Sequence, residues 1–145
     1  MVIEPQLSLP YAFKKVSLGT GPWLHEFDYY TWLQDDEYVC EVKRMDLGHL
    51  CGYVKFKSEG IKYKEQDFRG VPVHGGVTYI DIGDEWIVVG FDCAHAHDLS
   101  PGIEQILQRD GDPTPVRERY YKDITYTIRE TTHLAQEISK LRSGL

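Results

Sequence analysis

The sequence predicts an α+β fold, a mainly antiparallel sheet of four to six strands packed by a C-terminal helix, and three observations carry that reading. Two pairs of β-rich segments are each joined by turn residues: Tyr38–Met45 and Leu50–Phe56 around Asp46-Leu47-Gly48, then Thr78–Ile82 and Trp86–Asp92 around Gly83-Asp84. Within Asp123–Leu141, Ile124, Ile128, Thr131, Ala135 and Ile138 recur at steps of four, three, four and three. That spacing gives a helix one apolar stripe and leaves Arg129, Glu130, Glu137 and Lys140 to water. At 145 residues, 41% of them hydrophobic, the chain is long enough to bury one core, so residues 1–145 are read as a single domain.

Taken in order, residues 1–22 carry Pro5, Pro10, Gly19, Gly21 and Pro22, which predict an irregular strap with one strand over Tyr11–Val16. Trp23, Phe27, Tyr30 and Leu33 recur at helical steps and predict a short amphipathic helix before the Asp35-Asp36-Glu37 turn. The first hairpin follows. Lys57–Gly70 is polar and basic, which reads as a long surface loop. In the second hairpin Trp86–Asp92 is apolar on both faces, so it belongs centrally in the sheet. Ser100-Pro101 predicts a capped helix over Gly102–Gln108, Asp110–Pro115 a loop, and 123–141 the C-terminal helix.

Charge and composition narrow the function classes. A net charge of -7 repels polyanions, which argues against duplex nucleic acid as a partner. The longest apolar run, Trp86–Phe91, is far short of the roughly 20 residues that span a bilayer, and Met1–Pro10 lacks the pattern of a secretion signal. No membrane association is therefore expected. Cys40, Cys51 and Cys93 are an odd number without zinc-type pairing, as suits reduced thiols in a cytoplasmic protein. The charge is uneven: Lys43–Arg69 holds seven basic and four acidic residues, whereas Asp81–Asp98 holds five acids and no Lys or Arg. A small anion can still meet a local basic wall. Oligomerisation stays open, since an apolar face on the first helix or hairpin would serve a homo-oligomer.

Polar functional groups are densest in Asp92-Cys93-Ala94-His95-Ala96-His97-Asp98, after the most apolar strand, and in Val73-His74-Gly75-Gly76, whose glycines allow close approach of a ligand to main chain. Three readings compete. Asp92, His95 and Asp98, with His74, bind one divalent metal that activates water against a phosphodiester. Alternatively His74 and His95 form a catalytic acid and base pair without metal. Or nothing is cleaved: His74, Gly75, Gly76, Asp92 and His95 hydrogen-bond a nucleotide-like ligand, Tyr53, Tyr79 or Trp86 stacks on its base, and Lys55 or Lys62 meets its phosphate. Against all three stands the plain alternative that Asp98 caps a helix, Asp92 fixes a turn and the imidazoles are satisfied structural groups. Cys93 reads as buried, and His25, His49 and His133 as surface residues.

Gly48-His49-Leu50-Cys51-Gly52-Tyr53-Val54, Val73-His74-Gly75-Gly76-Val77-Thr78-Tyr79 and Gly90-Phe91-Asp92-Cys93-Ala94-His95 with Asp98 resemble a family of small uncharacterised bacterial and phage proteins. Gly21-Pro22-Trp23 and Tyr121-Lys122-Asp123 are similar too, so the resemblance runs from Gly21 onward. Members often have Gly at the position of His97 and a longer insert between Tyr79 and Trp86. The resemblance therefore favours Asp92, His95, Asp98 and His74 over His97. It implies a phage setting in a bacterial host cytosol, where, by analogy, a small protein with a polar pocket captures or destroys a nucleotide immune signal. The leading expectation is a binding protein for a small nucleotide-derived ligand. The alternatives are a metal-dependent or His-based hydrolase of that ligand and a non-enzymatic inhibitor that docks on a host protein.

Overall fold

A computed structural model describes residues 2–6, 15–111 and 118–144, the first five by backbone alone. Six strands form one antiparallel sheet: β1 (Val2–Gln6), β2 (Tyr29–Gln34), β3 (Tyr38–Arg44), β4 (Leu50–Lys57), β5 (Tyr79–Ile82) and β6 (Trp86–Asp92), in the order β1-β2-β3-β4-β6-β5. Short helices α1 (Glu65–Arg69) and α2 (Pro101–Arg109) lie in the connections, and α3 (Ile124–Ser143) packs on β3 and β4. The α+β fold, both hairpins and the internal position of β6 agree with the sequence pattern.

Alternation explains the two faces. Tyr38, Cys40, Val42 and Arg44 of β3, Val54 and Phe56 of β4, and Ile87, Val89 and Phe91 of β6 are buried toward α3. They meet Ala135 and Ile138 of the stripe read from the sequence, and Leu134, which that stripe did not include. At the crossing point a Cβ on Gly52 would lie 2.2 Å from Thr131 Oγ1, so glycine sets how closely α3 approaches the sheet. The intervening residues Glu41, Lys43, Tyr53, Lys55, Tyr79 and Val88 form the opposite face, which no helix among the described residues covers.

Several sequence expectations are corrected. Trp23–Leu33 is not a helix: a 3-10 turn over Pro22–His25 precedes strand β2, and Phe27 is exposed. The run Tyr29-Tyr30-Thr31-Trp32 is held on both sides, by β1 and by β3, and that pairing overrides the helical spacing. Residues 1–22 are not only an irregular strap, because Val2–Gln6 forms the edge strand, with Pro5 where the register slips. The Tyr11–Val16 strand lies mostly outside the described residues, and its described end is helical. Most of the Asp110–Pro115 loop is also outside them. Lys57–Gly70 is more than a surface loop, for Tyr63 and Phe68 insert into the core against Phe56. Ser100 stands at the start of α2, but its hydroxyl donates to Leu47 O (2.8 Å) rather than capping the helix.

Candidate functional site

The segment after β6 folds around its own carboxylates. Asp92 Oδ1 accepts the Ala94 amide at 3.0 Å and Asp98 Oδ2 accepts the His95 amide at 3.0 Å. Asp92 thus does fix a turn, as short Asp side chains commonly do. Asp98 does not cap the following helix; it faces inward, with its side chain 2% exposed. A bridge between Asp98 and Tyr120, closed by Tyr120 N to His97 O and Leu99 N to Tyr120 O, brings Lys122 to within 3.3 Å of Asp98 Oδ1.

His74 arrives from the loop before β5. Gly75 and Gly76 have φ of 68° and 84°, a left-handed pair that turns the chain back, with Gly76 N donating to Val73 O. His74 Nε2 lies 2.8 Å from Asp98 Oδ2, and its Nδ1 lies 2.8 Å from the Tyr126 hydroxyl. Its amide donates to Glu130 Oε1 at 2.9 Å. Tyr126 and Glu130 are one turn apart on α3, so the helix grips His74 at two points. His95 Nδ1 approaches Asp98 Oδ2 at 3.3 Å and Asp92 Oδ1 at 3.7 Å. A Cβ on Gly75 would fall 2.1 Å from His95 Cε1, so the two sequence motifs touch here, glycine against imidazole.

Two ring nitrogens and one carboxylate therefore converge: the ligand atoms of His74, His95 and Asp98 all lie within 4.8 Å of one another. Asp92, expected as a fourth, is not in that group; its other oxygen accepts the Thr78 hydroxyl at 2.9 Å. Exposure ranks the three, with His95 at 33%, His74 at 15% and Asp98 at 2%, so His95 is the member open to a ligand. Burial pushes the Asp98 carboxyl upward, but hydrogen bonds from His74 and the His95 amide, the His74 charge and Lys122 outweigh it and hold it below the usual range. Burial raises the Tyr126 hydroxyl, with Glu130 adding to the effect. The set offers two imidazoles and a carboxylate to a divalent cation, or a carboxylate-oriented imidazole for proton transfer.

Sequence reasoning assigned no site role to Lys122 and Tyr126, which lie far along the chain, and it left Glu130 to water, whereas Glu130 accepts the His74 amide. It also misjudged His49, which is half-buried, with Nδ1 3.2 Å from Ser100 Oγ. Burial lowers its pKa, and Asp92, Asp98 and His95 all act on it electrostatically, so it borders the site. His97 is exposed and stands outside the cluster. Cys93 is buried as expected, its thiol pushed up to about 12 by burial.

Tyr53, Tyr79 and Lys55, expected beside the histidines, come together elsewhere, in a hollow of about 250 Å³ on the uncovered face of the sheet. Tyr53 and Tyr79 both flank Gly90, two residues before Asp92, so hollow and cluster adjoin along β6. Comparison with protein-family models, curated proteins and solved structures found no match to the chain.

Proposed function

We propose that this chain is a divalent-metal hydrolase of a small phosphate ester, with His74, His95 and Asp98 as the metal ligands. The observation that supports the reading is the convergence of His74 Nε2, His95 Nδ1 and Asp98 Oδ2, at spacings of 2.8 and 3.3 Å from the carboxylate oxygen. Around one ion with bonds of about 2.1 Å, neighbouring ligand atoms stand about 3.0–3.4 Å apart, so the 3.3 Å spacing fits directly and the 2.8 Å hydrogen bond of His74 to Asp98 would open slightly to admit the ion. The outer contacts fit as well. A metal-bound imidazole gives its remote N–H to an acceptor, and Tyr126 stands at that position on His74. Three protein ligands leave positions for water and substrate, and a bound cation supplies a water of lowered pKa and a Lewis acid for the phosphoryl oxygens. Lys122 adds a positive charge beside the carboxylate, and half-exposed His95 marks the side from which substrate enters.

Hydrolysis of bis(p-nitrophenyl) phosphate after addition of manganese or zinc tests this reading. The expected result is metal-dependent release of nitrophenol that falls by about 10²-fold or more in His95→Ala and Asp98→Asn. Equal release by those variants and the unaltered chain would reject it. A second reading, capture of a nucleotide-derived ligand without turnover, draws support from Asp98 itself, because His74, His95 and Lys122 already engage both of its oxygens without an ion. Under that reading the purified protein carries a small molecule, forms no product and needs no metal.

A further inference from the structure

We propose that the uncovered face of the sheet is a binding site for a nucleoside monophosphate, base against Tyr79 and Tyr53 and phosphate toward Lys55. The inference deepens the hydrolase reading by naming its substrate class, and rests on it only for the notion that one ligand reaches both places. The site itself stands on separate observations.

The cross-strand register places the groups. Glu41, Tyr53, Gly90 and Tyr79 form one row across β3, β4, β6 and β5; Lys43, Cys51 and Asp92 form the next row; Val39, Lys55, Val88 and Asp81 form the row on the other side. Gly90 has no side chain, and a Cβ there would meet the Tyr53 ring at 2.5 Å, so that ring lies down on the strand. Tyr79 stands perpendicular to it, centroids 5.5 Å apart, on an edge strand with 47% of its surface exposed. The two rings thus offer a face and an edge to a third flat ring, the arrangement aromatic groups prefer. Val39 and Val88 close the apolar floor.

Charge selects an anionic partner. Lys43 lies 5.5 Å over the Tyr53 ring, and Lys55 and Lys57 lie 4.8 and 5.5 Å over Trp86. Of the side chains around the hollow, Glu41 is the acid, and its carboxylate already accepts the Tyr29 hydroxyl. Asp81 and Asp92 also stand on this face, so the cationic character is local to the hollow, where Lys43 and Lys55 are set against the one engaged carboxylate of Glu41, an aromatic and basic lining that fits a flat ring carrying phosphate. A hollow of about 250 Å³ suits one nucleotide, not an extended strand. Asp92, tied to Thr78 next to Tyr79, lies one side-chain row from the rings, and two residues of strand span about 7 Å.

Calorimetric titration of the metal-free protein with AMP, GMP, CMP and UMP tests the site, with adenosine, inorganic phosphate and a ten-residue single-stranded RNA as comparators. The expected result is saturable one-to-one binding of at least one monophosphate below about 1 mM, with adenosine and phosphate each about tenfold weaker. Tyr79→Ala and Lys55→Ala, both exposed positions, each weaken it about tenfold while keeping the circular dichroism spectrum. Absence of saturation by every monophosphate, affinity unchanged in Tyr79→Ala and Lys55→Ala, or preference for the RNA over every monophosphate would each overturn the proposal. Metal content of the unaltered chain, measured alongside, keeps the two readings apart: full metal with no nucleotide binding defeats this site and leaves the metal centre standing, and nucleotide binding without metal does the reverse.

Discussion

Gly75 joins the two motifs most directly, because its missing side chain is the space that the His95 ring fills. Gly75→Ala adds a methyl where φ is 68° and His95 already sits, so it costs about 1 kcal/mol in backbone strain and moves the imidazole off Asp98. Metal affinity is expected to fall in that variant far more than its thermal stability, and calorimetry on one sample checks both. His49 provides a pH prediction at the same scale. Its folded pKa is depressed by burial, so the unfolded chain takes up the proton first as pH falls, and stability present above the unfolded value of about 6.5 is lost below it. His49→Gln should flatten the denaturant midpoint between about pH 7 and 5. Asp98, also depressed, acts lower: its contribution is present above about pH 4 and lost as pH falls through the folded value.

Among the elements, β4 and α3 determine how the site is held. Gly52→Ala would press a methyl against Thr131 Oγ1 and the Phe91 ring, lifting the helix that carries Tyr126 and Glu130. An overpacking cost of about 1–3 kcal/mol is expected, and a fall in unfolding midpoint without loss of helix signal checks it. Ile138→Ala empties the same layer and should cost about 2–5 kcal/mol. The hairpins and α3 were legible because their periodicity matches the faces they bury. The Trp23–Leu33 segment was not, since its spacing fits a helix while its partners, β1 and β3, are supplied only by the folded sheet. His74, His95 and Asp98 were legible as a polar concentration near glycines. Lys122, Tyr126 and Glu130 became part of the site only when α3 crossed the sheet, and the separate location of Tyr53, Tyr79 and Lys55 follows from strand register.

For the whole molecule, a buried ionic network ties the N-terminal turn to the start of the helix that holds His74. Arg44, 1% exposed, donates to Asp28 Oδ1 at 2.7 Å, Glu26 Oε1 at 3.0 Å, Gly48 O at 2.9 Å and the Tyr121 hydroxyl at 2.8 Å. Lys15 joins Asp28 at 3.0 Å, and Glu26 Oε2 accepts the first helical amide, Ile124 N, at 2.8 Å. Removing the cation leaves buried carboxylates uncompensated, so Arg44→Met should cost about 3–5 kcal/mol in denaturant unfolding. Its effect should reach the metal centre, since the helix it anchors begins at Ile124, two residues before Tyr126 and six before Glu130. Among the described residues no helix is long and apolar enough to cross a membrane. The central claim is that His74, His95 and Asp98 hold a divalent ion, and elemental analysis by mass spectrometry of protein purified without metal-affinity resin tests it most directly. The account predicts about one equivalent of zinc, manganese or iron per chain, lost in His95→Ala and Asp98→Asn. A chain that carries no such metal and takes none up, or variants that retain it in full, would contradict it.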